Sequence, residues 1–102
     1  MKHVYLLLFL LFISSTTFSQ VVINEYSCSN ISGPTDAYGD REDWVELYNT
    51  SASAVNLTGY FLSDKSTNLD KWEIPSGTIA GNGKMMVFCS GRNTVNGSQL
   101  HP

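Results

Sequence analysis

The stretch DWVELY, residues 43–48, decides the fold class, because it is a short run of β-favouring apolar residues interrupted by single polar ones. Successive side chains of a β-strand point to opposite faces, so Val45 and Leu47 share one face. The other face carries two aromatic rings and the carboxylate of Glu46. Both faces of this predicted strand therefore carry large apolar groups.

Short runs of the same kind lie on both sides of this stretch, separated by Gly, Pro, Asn, Asp and Ser. No run of helical period is long enough to predict a helix. Regularly spaced strands without crossover helices favour antiparallel sheets packed face to face, so we expect an all-β, immunoglobulin-like antiparallel sandwich. Asn82-Gly83 suits a tight hairpin turn. The predicted strands are 21–27, 43–48, 60–63, 71–74 and 84–90, with a weaker one at 54–57.

The sequence after Asn93 is polar, NTVNGSQLHP, and predicts no strand. A sandwich of about 100 residues needs one or two strands more than the five or six predicted. We therefore expect the last strand or strands to be missing from this domain, and to come from a partner or from a continuation of the chain.

The first residues have the layout of a cleavable signal peptide: Lys2, an apolar run at 4–13, and small polar residues at 14–19. A helix over that run is about 15 Å long, half of the roughly 30 Å of a bilayer core. We predict cleavage after Ser19 and a domain at 20–102, secreted or at the cell surface, with no membrane span once the signal is removed.

The predicted mature domain is acidic. Of the six Lys and Arg, one lies in the signal, leaving five against nine Asp and Glu, a net charge near −4. Nucleic-acid binding needs clustered cations, so we expect no nucleic-acid partner. Cys28 and Cys89 would meet oxidising conditions after export and are candidates for a disulfide worth about 4 kcal/mol. The alternative is two buried free thiols.

Four carboxylates crowd one segment that also contains Gly39, and such a loop could offer oxygen ligands to Ca²⁺. Their spacing does not match the EF-hand loop. The simpler alternative is a solvated acidic loop, so Ca²⁺ is only a weak candidate and no other cofactor is expected. The candidate ligands are Asp36, Asp40, Glu42 and Asp43.

An ordered set of motifs between residues 21 and 91 resembles the lamin-tail domain of bacterial secreted proteins. The resemblance implies an immunoglobulin-like sandwich that acts as an adaptor or binding module rather than a catalyst. Family members continue past Leu100 and His101 with further strands, so it also implies an incomplete C-terminus. The motifs are INE at 23–25, DWVELYN at 43–49, VNL at 55–57, GYFLSD at 59–64, KW at 71–72, IP at 74–75 and Gly77.

The resemblance also implies that a few polar residues are architectural, namely Asn24, Glu25 and Asn49, and we expect Glu46 to be a structural polar residue as well. Glu25 shares the strand parity of Ile23, which places its carboxylate toward the interior. We expect it to bind loop amides there, with an acid/base pair with Glu46 or Asp43 as the alternative. Most aromatic side chains are predicted to lie in the core, with Trp72 and Tyr38 as candidates for an exposed carbohydrate-binding surface.

The function expected from these features is that of an exported, non-catalytic interaction or tethering module within a larger secreted or cell-surface protein. Its partner would be a protein or glycan at the cell surface. His3 and His101 are the only histidines, so no Ser or Cys has a clear general base, and we expect no catalytic residue. The alternative is the targeting domain of an extracellular nuclease or phosphoesterase whose catalytic part lies beyond residue 102.

Overall fold

The computed structural model describes residues 20–102, so the predicted signal peptide lies outside the described residues. Within that range the regular elements are nine β-strands and no helix, which confirms the all-β class. No helix there is long and apolar enough to cross a bilayer. The strands are β1 Val21–Ser27, β2 Trp44–Asn49, β3 Val55–Asn56, β4 Phe61–Leu62, β5 Trp72–Glu73, β6 Thr78–Ile79, β7 Lys84–Phe88, β8 Thr94–Asn96 and β9 Gln99–His101.

Five of these strands form the main sheet, in the order β1-β2-β7-β9-β8. Neighbours pair antiparallel except β7 and β9, which run parallel. The stretch that decides the fold class becomes β2, beside the central strand β7, with Val45 opposite Val87 and Leu47 opposite Met85. This pairing places these four apolar side chains on one face, called here the inner face.

The four short strands form a second layer as two nested hairpins. β3 pairs with β6, and β4 pairs with β5 inside that pair. Backbone bonds between the two hairpins continue the ladder: the Leu57 amide donates to Gly77 and the Ile74 amide donates to Tyr60, each at 2.8 Å. The whole excursion from residue 55 to 79 therefore acts as one arm.

The core lies between this arm and the inner face. Fully burying one of its aliphatic side chains contributes roughly 1.5–3 kcal/mol, so the contact between the layers is the main source of stability. The buried cluster comprises Leu47, Leu57, Ile74, Ile79, Met85, Val87 and Leu100.

The opposite, outer face is partly covered by the long connection between β1 and β2, residues 28–43. Phe88 and His101 lie on this face and are 1% and 0% exposed. The amide of Ala37, in the connection, donates to Oε1 of Gln99 at 2.8 Å. The chain segment that the sequence shows as an acidic loop therefore acts as a cover for the second face of the sheet.

The predicted strands all form, with ends shifted by no more than two residues. β6 was not predicted. The expectation that the polar tail forms no strand is also wrong: β8 and β9 form there, and Asn96 and Gln99 pair across a two-residue Gly97-Ser98 turn. Gly97 has a φ of 59°, which suits such a turn.

Asn82, with a φ of 55°, also lies in a tight turn, where the Gly83 amide donates to Ala80 at 2.9 Å. The turn is not a hairpin, however: β6 and β7 belong to different layers. Gly81 is required there, because a Cβ at that position would lie 2.1 Å from the carbonyl oxygen of Ala52.

Candidate interaction surface

No part of residues 20–102 covers the inner face beneath its edge strand, β1. Ile23 lies opposite Leu47 and Tyr26 opposite Val45, so both side chains belong to the inner face. They are 65% and 68% exposed, whereas Leu47 is 5% exposed. The core is therefore closed beneath β2, β7 and β9 and open beneath β1.

Two clefts follow this opening. One of about 350 Å³ lies at the start of β1, against residues 20–23. The other, of about 380 Å³, extends to Cys89. Ile23 and Leu62 line both clefts, and the two adjacent clefts together are called here the β1 groove. Its walls include Leu57, Phe61, Ile74, Val45, Trp72 and Val87.

Carboxylates lie near the end of the β1 groove at Cys89, and Asp64 lines it. Partial burial raises the pKa of the Cys89 thiol, and the negative charges of Asp43, Asp64 and Glu42 raise it further. Among the described residues that line the groove, Lys71 is the one cation, and its Nζ lies 2.6 Å from Oδ1 of Asp64. The groove is thus apolar along its length and acidic at one end.

A buried ionisable pair lies on the outer face. Asp36 is 5% exposed and His101 fully buried. His101 Nδ1 lies 3.8 Å from Asp36 Oδ2 and 3.2 Å from the Ser90 hydroxyl. The imidazole is enclosed by the ring of Tyr38, nearly perpendicular at 5.2 Å, and by that of Phe88, stacked at 5.8 Å.

Ser90, His101 and Asp36 do not form a catalytic relay. In such a relay the hydroxyl and the carboxylate face opposite nitrogens of the imidazole. Here both face Nδ1, while Nε2 is buried without a partner. An imidazole with no exposed surface also cannot reach a substrate, so the cluster joins the 28–43 connection to β9 and serves structure.

Ionisation of Asp36 is supported by the connection itself. Burial opposes it, yet the pKa of Asp36 lies below its ordinary value of 3.8, since Oδ1 accepts the amides of Asp40 and Tyr38 at 2.9 Å each. His101 and Arg92 act in the same direction. Arg92 also binds Asp40 at 2.6 Å and lies 4.1 Å over the Tyr38 ring, which clamps the connection to the β7–β8 turn.

The four predicted Ca²⁺ ligands are not brought together. Asp36 faces His101, Asp40 binds Arg92, and Asp43 lies beside Cys89. In the part of the chain that the structure describes, no three His, Cys, Asp or Glu side chains converge in a metal-binding arrangement.

The prediction that Glu25 points inward is wrong, because a β-bulge changes its parity. The register skips Asn24, so Glu25 lies opposite Glu46 on the outer face and is exposed. Asn24 donates through Nδ2 to Oε1 of Glu46 at 2.9 Å, and Lys84 Nζ lies 3.6 Å from the same oxygen. These contacts offset the repulsion between the two carboxylates.

Asn49, at the end of β2, is the polar side chain that joins the two layers. It is fully buried. Its Nδ2 donates to the carbonyls of Ser53, Ala80 and Ile79 at 2.8, 3.1 and 3.2 Å. Its Oδ1 accepts the amide and the hydroxyl of Ser51 at 3.0 and 2.8 Å. One amide group thus holds the turn after β2 against the end of β6.

Cys28 and Cys89 are free, exposed thiols in the structure. Cys89 donates its amide to the Asp43 carbonyl at 2.8 Å, next to β2, while Cys28 follows β1 on the other side of β2. Strands two apart are about 10 Å from each other, and a disulfide needs Cα atoms within about 7 Å. The disulfide stays a prediction that requires movement after Ser27, and a thiol count on the denatured, unreduced protein tests it.

Only some of the aromatic side chains that were predicted to lie in the core are buried. Phe88 is buried and Trp72 is half-buried, with its Nε1 donating to Asn93 at 2.7 Å. Tyr60 and Phe61, both predicted to be core, are 60% and 48% exposed at the mouth of the first cleft.

The model of the Lamin Tail Domain family matches residues 14–101, nearly the whole chain. This chain belongs to the lamin tail domain family. The immunoglobulin-like sandwich expected from the sequence is therefore the fold of this lamin tail domain. The match begins inside the predicted signal segment. No curated protein and no solved structure matches the chain.

Proposed function

We propose that this lamin tail domain is an exported, non-catalytic interaction module of the bacterial secreted type, which tethers a larger secreted or surface protein to a partner. The observation that carries the proposal is the open apolar groove beneath β1, next to a core that is otherwise closed. An apolar channel of this kind, exposed on an acidic domain, is typical of a site that another molecule covers.

Two further features support this proposal. The apolar run at 4–13 and the small residues at 14–19 fit export. The buried histidine is enclosed by rings and a carboxylate, with no opening for a substrate, which fits binding rather than catalysis.

The test follows a C-terminally tagged chain in the cells that produce it. We expect the tagged protein outside the cytoplasm with Gln20 as its first residue, and saturable binding of the purified protein to the surface of those cells. Leu8→Arg, which interrupts the apolar run, should hold the chain inside and serves as the control. A chain that keeps Met1 in the cytoplasm, or an exported chain that binds no surface saturably, would contradict the proposal.

A further inference from the structure

We infer that the β1 groove binds an extended polypeptide segment of another protein, which adds as a strand to the free edge of β1 and carries Lys or Arg at the end beside Ser27. This inference rests on the proposed function and specifies the partner chemistry of the same surface.

The backbone of residues 22–27 is available for pairing. Among the strands of residues 20–102, β1 is the edge of the main sheet and pairs with β2 alone. Edge strands of soluble proteins are commonly blocked by Pro, Lys or a β-bulge; the sequence VVINEYS contains neither Pro nor Lys, and its bulge at Asn24 leaves Glu25, Tyr26 and Ser27 in regular register with β2. From residue 22 to 27 the strand spans roughly 20 Å, enough for a segment of about six residues.

The side chains beside that edge fit an added strand. A strand placed about 4.8 Å outside β1 would turn every second side chain toward the inner face. These side chains would enter the groove next to Ile23 and Tyr26, whose exposed fractions are 65% and 68%. The occupant is therefore a segment with alternating apolar residues, since its other face remains in solvent.

The charge at one end selects the partner. Asp64 lines the groove end at Cys89 with Lys71 already bound to it, and the Asp43 carbonyl accepts the Cys89 amide there, next to Glu42 in the chain. A second copy of this acidic domain is disfavoured as the occupant. It would bring like charges together, including the exposed carboxylate of Glu25 on each copy of β1. A segment with cations at that end is attracted instead.

Antiparallel pairing is the slightly more stable arrangement, so the amino end of the segment should lie beside Ser27. The probe is therefore a capped peptide of about ten residues, with two lysines at the amino end followed by alternating Val and Thr. We expect saturable binding to the purified chain and protection of the amides of residues 22–27 from hydrogen exchange.

Matched variants locate the site. Ile23→Lys should lower the affinity at least about tenfold by placing a charge in the groove. Ile31→Lys makes the same change at a position that is 83% exposed in the 28–43 connection, and should leave the affinity unchanged. Replacing the two lysines of the probe by glutamates should also weaken binding, and the difference should shrink at high salt.

N-methylation separates strand addition from simple apolar contact. Every second amide of a strand points to the same neighbour, so methylation of one alternating set of probe amides should abolish binding while methylation of the other set should preserve it. Equal binding of both forms, no binding of any probe, or self-association of the chain through Ile23 would each overturn the inference. If surface binding in the producing cells is saturable yet insensitive to Ile23→Lys, the proposed function stands and the strand-addition site is wrong.

Discussion

At the scale of single residues, Asn49 should be the most sensitive polar position of the described domain. Its side chain has no exposed surface and satisfies carbonyls from two layers. Asn49→Ala leaves those carbonyls buried without a donor, so we expect the free energy of unfolding to fall by about 2–4 kcal/mol. Urea denaturation followed by tryptophan fluorescence measures this change.

Asn56→Ala is the matched control. Asn56 is exposed, and its Oδ1 accepts a hydrogen bond from the Thr58 amide at 3.0 Å. Its loss should cost about 1 kcal/mol or less. Equal costs for the two substitutions would mean that Asn49 does not hold the layers together in solution.

At the scale of elements, the attachment of the 28–43 connection should depend on the ionisation of Asp36. Because the pKa of Asp36 is lowered in the folded state, its contribution to stability is fully present above the ordinary value of 3.8. The contribution is lost as the pH falls through the lower folded pKa. We expect the amides of residues 36–40 to lose hydrogen-exchange protection in acid below that range.

Two variants test this acid dependence. Asp36→Asn should remove the pH dependence of the connection below pH 3.8. Asp64, whose pKa is also lowered, mainly by Lys71, has a side chain that is 73% exposed, so Asp64→Asn should leave the connection unaffected. Protection of residues 36–40 that falls equally with pH in the wild type and Asp36→Asn would contradict the role given to this carboxylate.

The strands also show how much of this fold the local sequence pattern predicts. β1, β2 and β7 were placed closely, because alternation of apolar residues is a local signal. β8 and β9 were missed although Gly97-Ser98 was a readable turn signal, since Thr94–Asn96 has only one apolar residue. The bulge at Asn24 has no such signal, and a single inserted residue was enough to reverse the expected direction of Glu25.

The candidate surfaces were harder to predict from the sequence, because they are assembled from segments that are distant in the chain. Asp36 and His101 meet through the parallel β7–β9 pairing, which no local pattern specifies. The β1 groove depends on which side chains the second layer leaves uncovered. Ile23 was correctly expected on the core-facing side of β1, but alternation cannot tell that nothing in the described chain covers it.

At the scale of the whole molecule, an opening in the core links binding to stability. A domain of this size is only marginally stable, because folding buries a smaller share of the unfolded chain's surface than it does in larger domains. A segment that fills the β1 groove buries more apolar surface and should stabilise the entire sandwich. At a probe peptide concentration of 100 times its dissociation constant, the gain is about 2.7 kcal/mol. We therefore expect the urea midpoint of the wild type to rise with added lysine-bearing peptide.

Without peptide, Ile23→Lys should change the free energy of unfolding by no more than about 0.5 kcal/mol, because Ile23 is 65% exposed. Val87→Lys places the same charge on the same inner face, but at a position that is 3% exposed, and should unfold or severely destabilise the chain. At the same peptide concentration, a tenfold loss of affinity leaves Ile23→Lys a gain of about 1.4 kcal/mol, so its midpoint should rise clearly less than that of the wild type. A large loss of stability in Ile23→Lys alone would mean that Ile23 lies in a closed core in solution, and the inner face would then offer no room for a partner strand.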